Sequence, residues 1–303
     1  MIEFINVCKT YRPPLRPVVH AVEDFSLDVR AGEVLGIAGP NGAGKSTLLS
    51  MLLGYTPPTM GTVRIAGMEP RRYIERHGIG YLSELVAIPP KWSVEEALLR
   101  YGTLAGIREP ELAMRVEDAI ERLGLESHRA KRVKELSKGN LQRLGLAQSL
   151  LRGERVFVLD EPTHGLDPLW TSRFREIVAD LKRPDRAIII ASHNLEELER
   201  LADRVAIIDR GQLQQVVDVT RVLPMALASV YRLTIARGAD RLAEVFPDII
   251  DCGRGDWAVK AHDLEELNTG IAALIARGVL VAGVAPAQSA LEYHFQNAIG
   301  EVA

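Results

Sequence analysis

The chain has 303 residues, 47% of them hydrophobic, and a formal net charge of −3. This length predicts two domains, and the composition predicts a soluble globular protein without the basic field that recruits nucleic acid. Only two cysteines occur, Cys8 and Cys252, which excludes a disulfide framework or a cysteine metal cluster and fits a reducing cytosol. Because the first residues lack a signal-peptide pattern and no apolar run is long enough to span a bilayer, we expect a cytoplasmic protein.

The chain begins with two predicted strands, at residues 2–5 and 25–29, in which apolar and polar residues alternate. A proline-rich loop, residues 11–17, separates them and starts with Tyr11. An aromatic side chain here either stacks on a nucleotide base or is an ordinary boundary residue. The local sequence supports both interpretations equally.

The strongest motif follows these strands. Residues 33–38 form an apolar run typical of a buried strand, and residues 47–53 can start a helix. The segment between them matches the phosphate-loop pattern G-x-x-x-x-G-K-[ST]. Its glycines let the backbone N–H groups surround an anion, Lys45 can reach the β- and γ-phosphates, and the Ser46 hydroxyl can bind Mg²⁺. The predicted nucleotide-binding residues, here called the phosphate loop, are Gly39, Pro40, Asn41, Gly42, Ala43, Gly44, Lys45, Ser46 and Thr47.

A helical region interrupts the predicted sheet. Strands are predicted at residues 62–67 and 79–82, and the second leads into Glu84. Ser93 then begins a helix with a glutamate three residues on, and residues 109–123 carry apolar side chains on one helix face. We therefore expect a helical subdomain at about residues 84–150.

The end of that subdomain contains Ser137, Lys138, Gly139 and Asn140, followed by a predicted helix at residues 141–151. A helix start with serine and glycine offers N–H groups to an anion. A plain helix cap is the commoner use of such a serine.

Two carboxylates end the next predicted strand. Residues 156–159 are apolar and predict a strand buried on both faces, and Asp160 and Glu161 follow at its carboxyl end, where open α/β sheets bind ligands. We expect Asp160 to hold Mg²⁺ through water and Glu161 to orient and deprotonate the attacking water. An acidic turn is an equally common reason for such a pair, and the phosphate loop upstream favours the catalytic interpretation.

The strand at residues 187–191 ends at Ser192 and His193 on the same predicted edge. A lone histidine is usually structural, but at this edge His193 can contact a γ-phosphate. Helices at residues 169–182 and 194–203 and a strand at residues 204–209 complete this part of the chain.

The sequence pattern changes near residue 231, where the strands and helices of a second predicted domain begin. Its predicted order is strand, helix, strand, strand, helix, strand, which suggests a ferredoxin-like α+β module with a last helix added. The predicted strands are residues 231–235, 249–252, 257–260 and 279–282, and the predicted helices are residues 240–246, 263–276 and 287–299. No ligand cluster is visible, so dimer support or packing on the rest of the chain is favoured over ligand sensing.

Together these motifs resemble the ATP-binding subunits of ABC transporters, from about residue 2 to residue 216. The resemblance implies an α/β fold, a P-loop NTPase of the ABC ATPase type, over residues 1–216, with an accessory α+β domain at residues 217–303. It implies that Tyr11 stacks on the base, that Glu161 and His193 are catalytic, and that Asp167 belongs to the D-loop. It also implies that the signature segment, residues 137–140, contacts the ATP of a partner subunit.

The chain departs from the family pattern at three positions. Lys138 and Asn140 stand where the usual signature has glycine and glutamine, while Ser137 and Gly139 are kept. Glu84 replaces the usual glutamine after the strand at residues 79–82, and its carboxylate can still contact Mg²⁺ or its waters.

The resemblance further implies ATP and Mg²⁺ as cofactors, a homodimer or heterodimer closed head to tail by ATP, and a separately encoded membrane permease. It places the protein peripherally on the cytoplasmic face of a membrane, in the branch that exports drugs, polysaccharides, lipids or ions. The alternative is a soluble ABC ATPase that acts on ribosomes or DNA, but such proteins usually carry two cassettes or a long coiled coil, which this sequence lacks. A regulatory module with residual ATPase activity is a third reading, and the presence of Glu161 and His193 argues against it.

Overall fold

The computed structural model describes residues 1–14, 17–220, 230–287 and 289–300. The chain divides into two compact units, Met1–Val217 and Asp218–Ala303. Each unit has a hydrophobic core of its own, formed in the first by residues between Ile2 and Ile208 and in the second by residues between Tyr231 and Val279.

A three-stranded antiparallel sheet opens the first unit, in the order β2-β1-β4. Its strands are β1 (Ile2–Tyr11), β2 (Val19–Val29) and β4 (Met60–Ile65). Both β1 and β2 are longer than predicted because they continue their pairing to Tyr11 and Val19. Tyr11 therefore ends a strand instead of starting the proline-rich loop, of which residues 15 and 16 lie outside the described residues.

A six-stranded sheet forms the centre of the first unit, in the order β5-β6-β7-β3-β8-β9. Its strands are β3 (Glu33–Ala38), β5 (Gly80–Leu82), β6 (Val156–Asp160), β7 (Ala187–Ala191), β8 (Arg204–Asp209) and β9 (Gln212–Asp218). The neighbours from β5 to β8 pair in parallel, and every residue of β3, β6 and β7 is buried. Burial on both faces explains their continuous apolar sequences, and parallel pairing brings their carboxyl ends to one edge.

Seven α-helices accompany these sheets in the described part of the first unit. They are α1 (Lys45–Leu52), α2 (Pro70–His77), α3 (Val94–Leu104), α4 (Glu111–Arg122), α5 (Lys138–Leu150), α6 (Pro168–Leu181) and α7 (Leu195–Leu201). Helices α3, α4 and α5 contact one another and, with two short 3₁₀ segments, form the helical subdomain. The predicted capping box is confirmed, since the Glu96 N–H donates to Ser93 Oγ at 3.0 Å and the Ser93 N–H to the Glu96 carboxylate at 3.4 Å.

The predicted start of α5 at residue 141 is wrong. Ser137 occupies the cap position, its hydroxyl accepts the Asn140 N–H at 3.3 Å, and the helix begins at Lys138. Three residues of the signature segment therefore form the first helical turn instead of a preceding loop. A serine at a cap position satisfies an N–H that the helix cannot satisfy itself, and this sets the boundary.

The second unit is built on a four-stranded antiparallel sheet in the order β11-β12-β10-β13, with hairpin strands β11 and β12 as predicted. Its strands are β10 (Val230–Arg237), β11 (Ile249–Gly253), β12 (Asp256–Lys260) and β13 (Leu280–Pro286). Its α-helices are α8 (Leu264–Ala276), which Asp263 caps as predicted, and α9 (Ala290–Ile299), which starts three residues later than predicted. This is the strand order of a ferredoxin-like module.

The first predicted helix of this unit is a 3₁₀ segment, Ala239–Glu244, and not an α-helix at residues 240–246. It follows Gly238, whose φ is 86°, and Leu242 is its only buried residue. A six-residue segment with a single buried side chain has too little packing to favour regular α-helical turns. Across the described residues, no helix has both the length and the hydrophobicity that a bilayer crossing requires.

Candidate nucleotide site

The phosphate loop connects β3 to α1, and backbone packing explains its glycines. A Cβ at Gly39 would lie 2.4 Å from the Ile208 carbonyl oxygen. Gly44 has a φ of 105°, and a Cβ there would lie 2.6 Å from the Ala21 carbonyl oxygen. No side chain fits at either position, so the loop keeps its backbone close to β8 and β2 only because these residues are glycine.

Lys45 begins α1, and its ammonium group lies against the loop backbone. Its Nζ donates to the carbonyl oxygens of Gly39 at 2.6 Å and Pro40 at 3.2 Å. Burial lowers the pKa of Lys45, while the carboxylates of Glu161, Asp160 and Glu84 act in the opposite direction. The loop thus contains a positive charge that faces an acidic edge of the sheet.

Glu161 is fixed by contacts from the end of β7. Its N–H donates to the Ala191 carbonyl oxygen at 2.9 Å. Its carboxylate accepts hydrogen bonds from the Ser192 hydroxyl at 3.0 Å and the His193 N–H at 2.9 Å, and lies 2.8 Å from His193 Nδ1. From the other side, Gln142 Nε2 donates to the backbone oxygens of Glu161 and Pro162 at 3.1 Å. One carboxylate oxygen therefore faces two groups of His193, and its orientation is set by the protein.

Asp160, one residue earlier, is buried among like charges. Burial is the largest cause that raises the pKa of Asp160 to about 6, and Glu84 and Glu161 raise it further, while Lys45 lowers it. A carboxylate that is costly to ionise is stabilised by a nearby cation. This edge of the sheet therefore favours a positive ligand close to Asp160.

The donors at this edge suit a hard divalent cation. Within the described residues, no three or more His, Cys, Asp or Glu side chains are arranged to enclose a metal ion. Mg²⁺ does not need such an enclosure, because it usually takes one or two protein carboxylates together with phosphate and water. Ser46, Asp160 and Glu84 line one cavity and provide only oxygen donors, so the residues present fit Mg²⁺ bound with a nucleotide.

One cavity of about 610 Å³ brings most predicted site residues together. The predicted residues that line it are Tyr11, Asn41, Gly42, Ala43, Gly44, Lys45, Ser46, Thr47, Glu84, Asp160, Glu161 and His193. Gly39 and Pro40 contribute carbonyl oxygens to Lys45 but do not line the cavity. Its volume matches that of a small-molecule site.

The sequence prediction missed several residues of this site. Val19, His20, Ala21 and His164 also line the cavity, and Gln142 holds the turn after Glu161. His164 follows Glu161 by three residues, a nearness that could have suggested it. Gln142 could have been suggested by its polar side chain among the apolar residues of α5. The β2 residues carry no comparable signal, since strand pairing alone brings them to the loop.

The signature segment and Asp167 do not line this cavity. Ser137 and Lys138 are exposed, and Lys138 Nζ lies 2.8 Å from His164 Nε2. Asn140 contacts His128 and Arg143 within the helical subdomain. Asp167 caps α6 by accepting the Trp170 N–H at 2.9 Å. Within one copy, Ser137 and Asp167 therefore cap helices, and none of these residues lines the nucleotide cavity.

Known proteins with similar sequences belong to one family. A family model described as ABC transporter matches residues 22–164. The chain is 35% identical over 202 residues to the ABC transporter ATP-binding protein NatA of Bacillus subtilis, a match that covers 65% of this chain and 82% of that protein. It is 38% identical over 214 residues to the Nod factor export ATP-binding protein I of Burkholderia lata, covering 70% and 68% of the two chains.

Two solved structures extend the comparison. A dimeric ATP-binding cassette in a post-hydrolysis state, bound to ADP and Pi, superposes with a TM-score of 0.67 at 22% identity, covering 74% of this chain and all of that one. The ATP-binding subunit of an ABC transporter superposes with a TM-score of 0.65 at 26% identity, covering 72% and 90%. The predicted ABC ATPase fold is thus confirmed, and the chain belongs to the ATP-binding proteins of ABC transporters, as an ATPase of that family.

Proposed function

We propose that this chain binds ATP with Mg²⁺, closes on a second copy, and powers export through a separate membrane permease at the cytoplasmic face of a membrane. The observation that carries the proposal is the shared cavity, in which Lys45 of the phosphate loop faces Asp160, Glu161 and His193. A cation for phosphates and a fixed carboxylate for water, in one cavity, are what nucleoside triphosphate hydrolysis requires.

Each residue has a role in this proposal. The phosphate loop and Lys45 bind the phosphates, Tyr11 stacks on the base, and Ser46, Asp160 and Glu84 hold Mg²⁺ directly or through water. When bound, Mg²⁺ would neutralise charge on the phosphates. Glu161 orients the attacking water and accepts its proton, and His193, which touches the Glu161 carboxylate, contacts the γ-phosphate.

A head-to-tail homodimer would complete the site. Ser137 and Lys138 are exposed and lie outside the cavity of their own copy, so the signature segment is free to face the ATP of a partner. One of the similar solved structures is a dimeric cassette, which is consistent with this arrangement. The γ-phosphate would favour the closed dimer because both copies bind it, and hydrolysis would remove that preference.

Export is the transport direction that the relatives favour. The Burkholderia lata relative is named a Nod factor export protein, and the Bacillus subtilis relative an ABC transporter protein. The alternative, a soluble ATPase that acts on ribosomes or DNA, gains no support from these relatives, and the net charge of −3 gives no basic field for nucleic acid.

Co-expression tests this proposal. The tagged chain would be produced with membrane proteins encoded beside it that carry about six apolar spans of helix length. We expect the chain to sediment with membranes only when its permease is present, and its ATPase activity to rise in the detergent-purified complex. Lys45→Ala should still sediment with the permease but lack activity. Sedimentation with ribosomes or DNA, independent of any membrane protein, would support the alternative instead.

A further inference from the structure

Two residues of the proposed dimer site, to which the mechanism above gives no individual role, contact each other. Lys138 replaces the glycine of the usual signature, and His164 lies in the turn after Glu161. Their nitrogens, Nζ and Nε2, are 2.8 Å apart although 26 residues separate them in the sequence. A lysine ammonium only donates hydrogen bonds, so the His164 Nε2 is the acceptor of this contact.

The backbone around this hydrogen bond is closely packed. A Cβ at Gly165 would lie 3.0–3.1 Å from Cγ, Cδ and Cε of Lys138, so the lysine stem extends directly over this glycine. A Cβ at Gly139 would lie 2.9 Å from the Gly165 carbonyl oxygen. The first turn of α5 is therefore placed against the turn after β6, and Lys138 crosses between the two.

The two ends of the contact belong to different parts of the proposed dimer site. His164 lines the nucleotide cavity of its own copy, and its N–H donates to the Glu161 carbonyl oxygen at 3.1 Å. Lys138 stands between Ser137 and Gly139, outside that cavity. The Lys138–His164 hydrogen bond thus links the ATP cavity of one copy to the segment that would face the ATP of its partner.

We propose that Lys138 and His164 are positioning residues that couple the two ATP sites of the dimer. Their hydrogen bond fixes the first turn of α5 relative to the Glu161 turn, so nucleotide in one cavity orders the signature segment for the nucleotide of the partner. This inference rests on the proposed ATP dimer. If the contact is only a chance pairing of two exposed side chains, its removal changes nothing.

The first test measures ATP-dependent self-association in the Glu161→Gln background, where hydrolysis does not separate the copies. Lys138→Ala and His164→Ala should each weaken association in Mg-ATP about fivefold to tenfold, the effect of one ordinary hydrogen bond, because both side chains are exposed to solvent. The ATP affinity of Lys138→Ala, measured at protein concentrations too low for self-association, should stay within about twofold of that of the parent chain. The reason is that Lys138 lies outside the cavity. Lys134→Ala and His262→Ala, two exposed residues elsewhere, are the matched controls.

The second test separates positioning from simple structural support. In the chain with Glu161 intact, both variants should raise the ATP concentration for half-maximal turnover and reduce its cooperativity by more than they lower kcat, because closure is affected more than chemistry. His164→Gln keeps an acceptor oxygen and should restore most of the association that His164→Ala loses. The double alanine variant should associate no more weakly than either single variant.

The outcomes separate this inference from the dimer itself. If the Glu161→Gln chain associates with ATP but neither Lys138→Ala nor His164→Ala weakens it beyond the controls, the coupling role is wrong and the dimer stands. Additive losses in the double variant, or a loss of kcat at unchanged half-saturation, would also overturn the coupling role. If the Glu161→Gln chain does not associate in Mg-ATP at all, the proposed dimer fails and the inference fails with it.

Discussion

Glu161 is held in a conformation that its own backbone disfavours. Its φ of 47° lies in the left-handed region, which costs a residue with a side chain about 1 kcal/mol. The contacts of Ser192, His193 and Gln142 hold the residue there. Backbone strain that several hydrogen bonds maintain is typical of a functional residue. In this conformation the Glu161 carboxylate points to the end of β7.

Glu161→Gln is expected to separate binding from hydrolysis. The amide keeps the shape of the side chain but cannot accept the proton of water, so phosphate release should fall by about 10²- to 10⁴-fold. ATP affinity should stay within about twofold, because in the proposed site Lys45 and the phosphate loop bind the phosphates while Glu161 faces the attacking water. Glu176→Gln, on the exposed face of α6, is the control. Turnover near the normal rate would exclude Glu161 as the base.

Asp160 gives a stability test with a defined sign. Its pKa of about 6 in the folded chain lies above the ordinary value of 3.8, so the folded state binds a proton that the unfolded state releases between these values. The free energy of unfolding should therefore fall as pH rises through about 4 to 6. Above that window, Asp160→Asn should stabilise the nucleotide-free protein by about 1–2 kcal/mol, allowing for solvent screening.

Urea unfolding at several pH values measures this difference. The gain in the free energy of unfolding from Asp160→Asn should be present at pH 7.5 and shrink as pH falls through the window. Asp118→Asn, on the exposed side of α4, is the control for removing a carboxylate. Equal effects of Asp160→Asn at all pH values would contradict the raised pKa. The variant should also lose ATPase activity, since it removes a proposed Mg²⁺ ligand.

At the scale of elements, two serine caps allow a matched comparison. Ser93 caps α3 and Ser137 caps α5, and each accepts an N–H three residues on, at 3.0 Å and 3.3 Å. Replacing either with alanine should cost about 1 kcal/mol of stability. Only Ser137→Ala should also weaken ATP-dependent association in the Glu161→Gln background. Equal association of the two variants would make Ser137 a plain cap.

The sequence predicted elements well where a single pattern sets them. The buried strands β3, β6 and β7 are continuous apolar runs, and the caps of α3 and α8 are local side-chain signals. Two elements were missed for physical reasons. Helix α2 buries only Pro70 and Tyr73 among charged residues, and β9 is an edge strand whose side chains are mostly polar or partly exposed.

At the scale of the whole molecule, the two units have separate cores, and this predicts separate folding. A chain ending at Val217 keeps every residue of the first core. We expect it to unfold cooperatively in urea and to bind ATP within about twofold of the full chain. Loss of ATP-dependent association upon this truncation would indicate that the second unit supports the dimer. Failure to fold would contradict the independence of the cores.

The site itself was predictable only in part. The phosphate loop and the Asp160–Glu161 pair follow from short motifs, because loop conformation and strand ends are local. His20 reaches the cavity through the pairing of β1 with β2, which no single stretch encodes, whereas His164 lies three residues after Glu161 and was predictable from that nearness. The proposed function of the signature segment requires a second copy, so neither the sequence pattern of α5 nor the cavity of one copy contains it.

Cross-linking between copies measures directly whether ATP lies between the phosphate loop of one copy and the signature segment of another. In a Glu161→Gln chain with Cys8→Ser and Cys252→Ser, the pair Asn41→Cys and Ser137→Cys should form a cross-link between copies in Mg-ATP. No cross-link is expected without ATP, after Lys45→Ala, or with either new cysteine alone. A cross-link through Ser137→Cys alone, or one that forms equally without ATP, would contradict this arrangement.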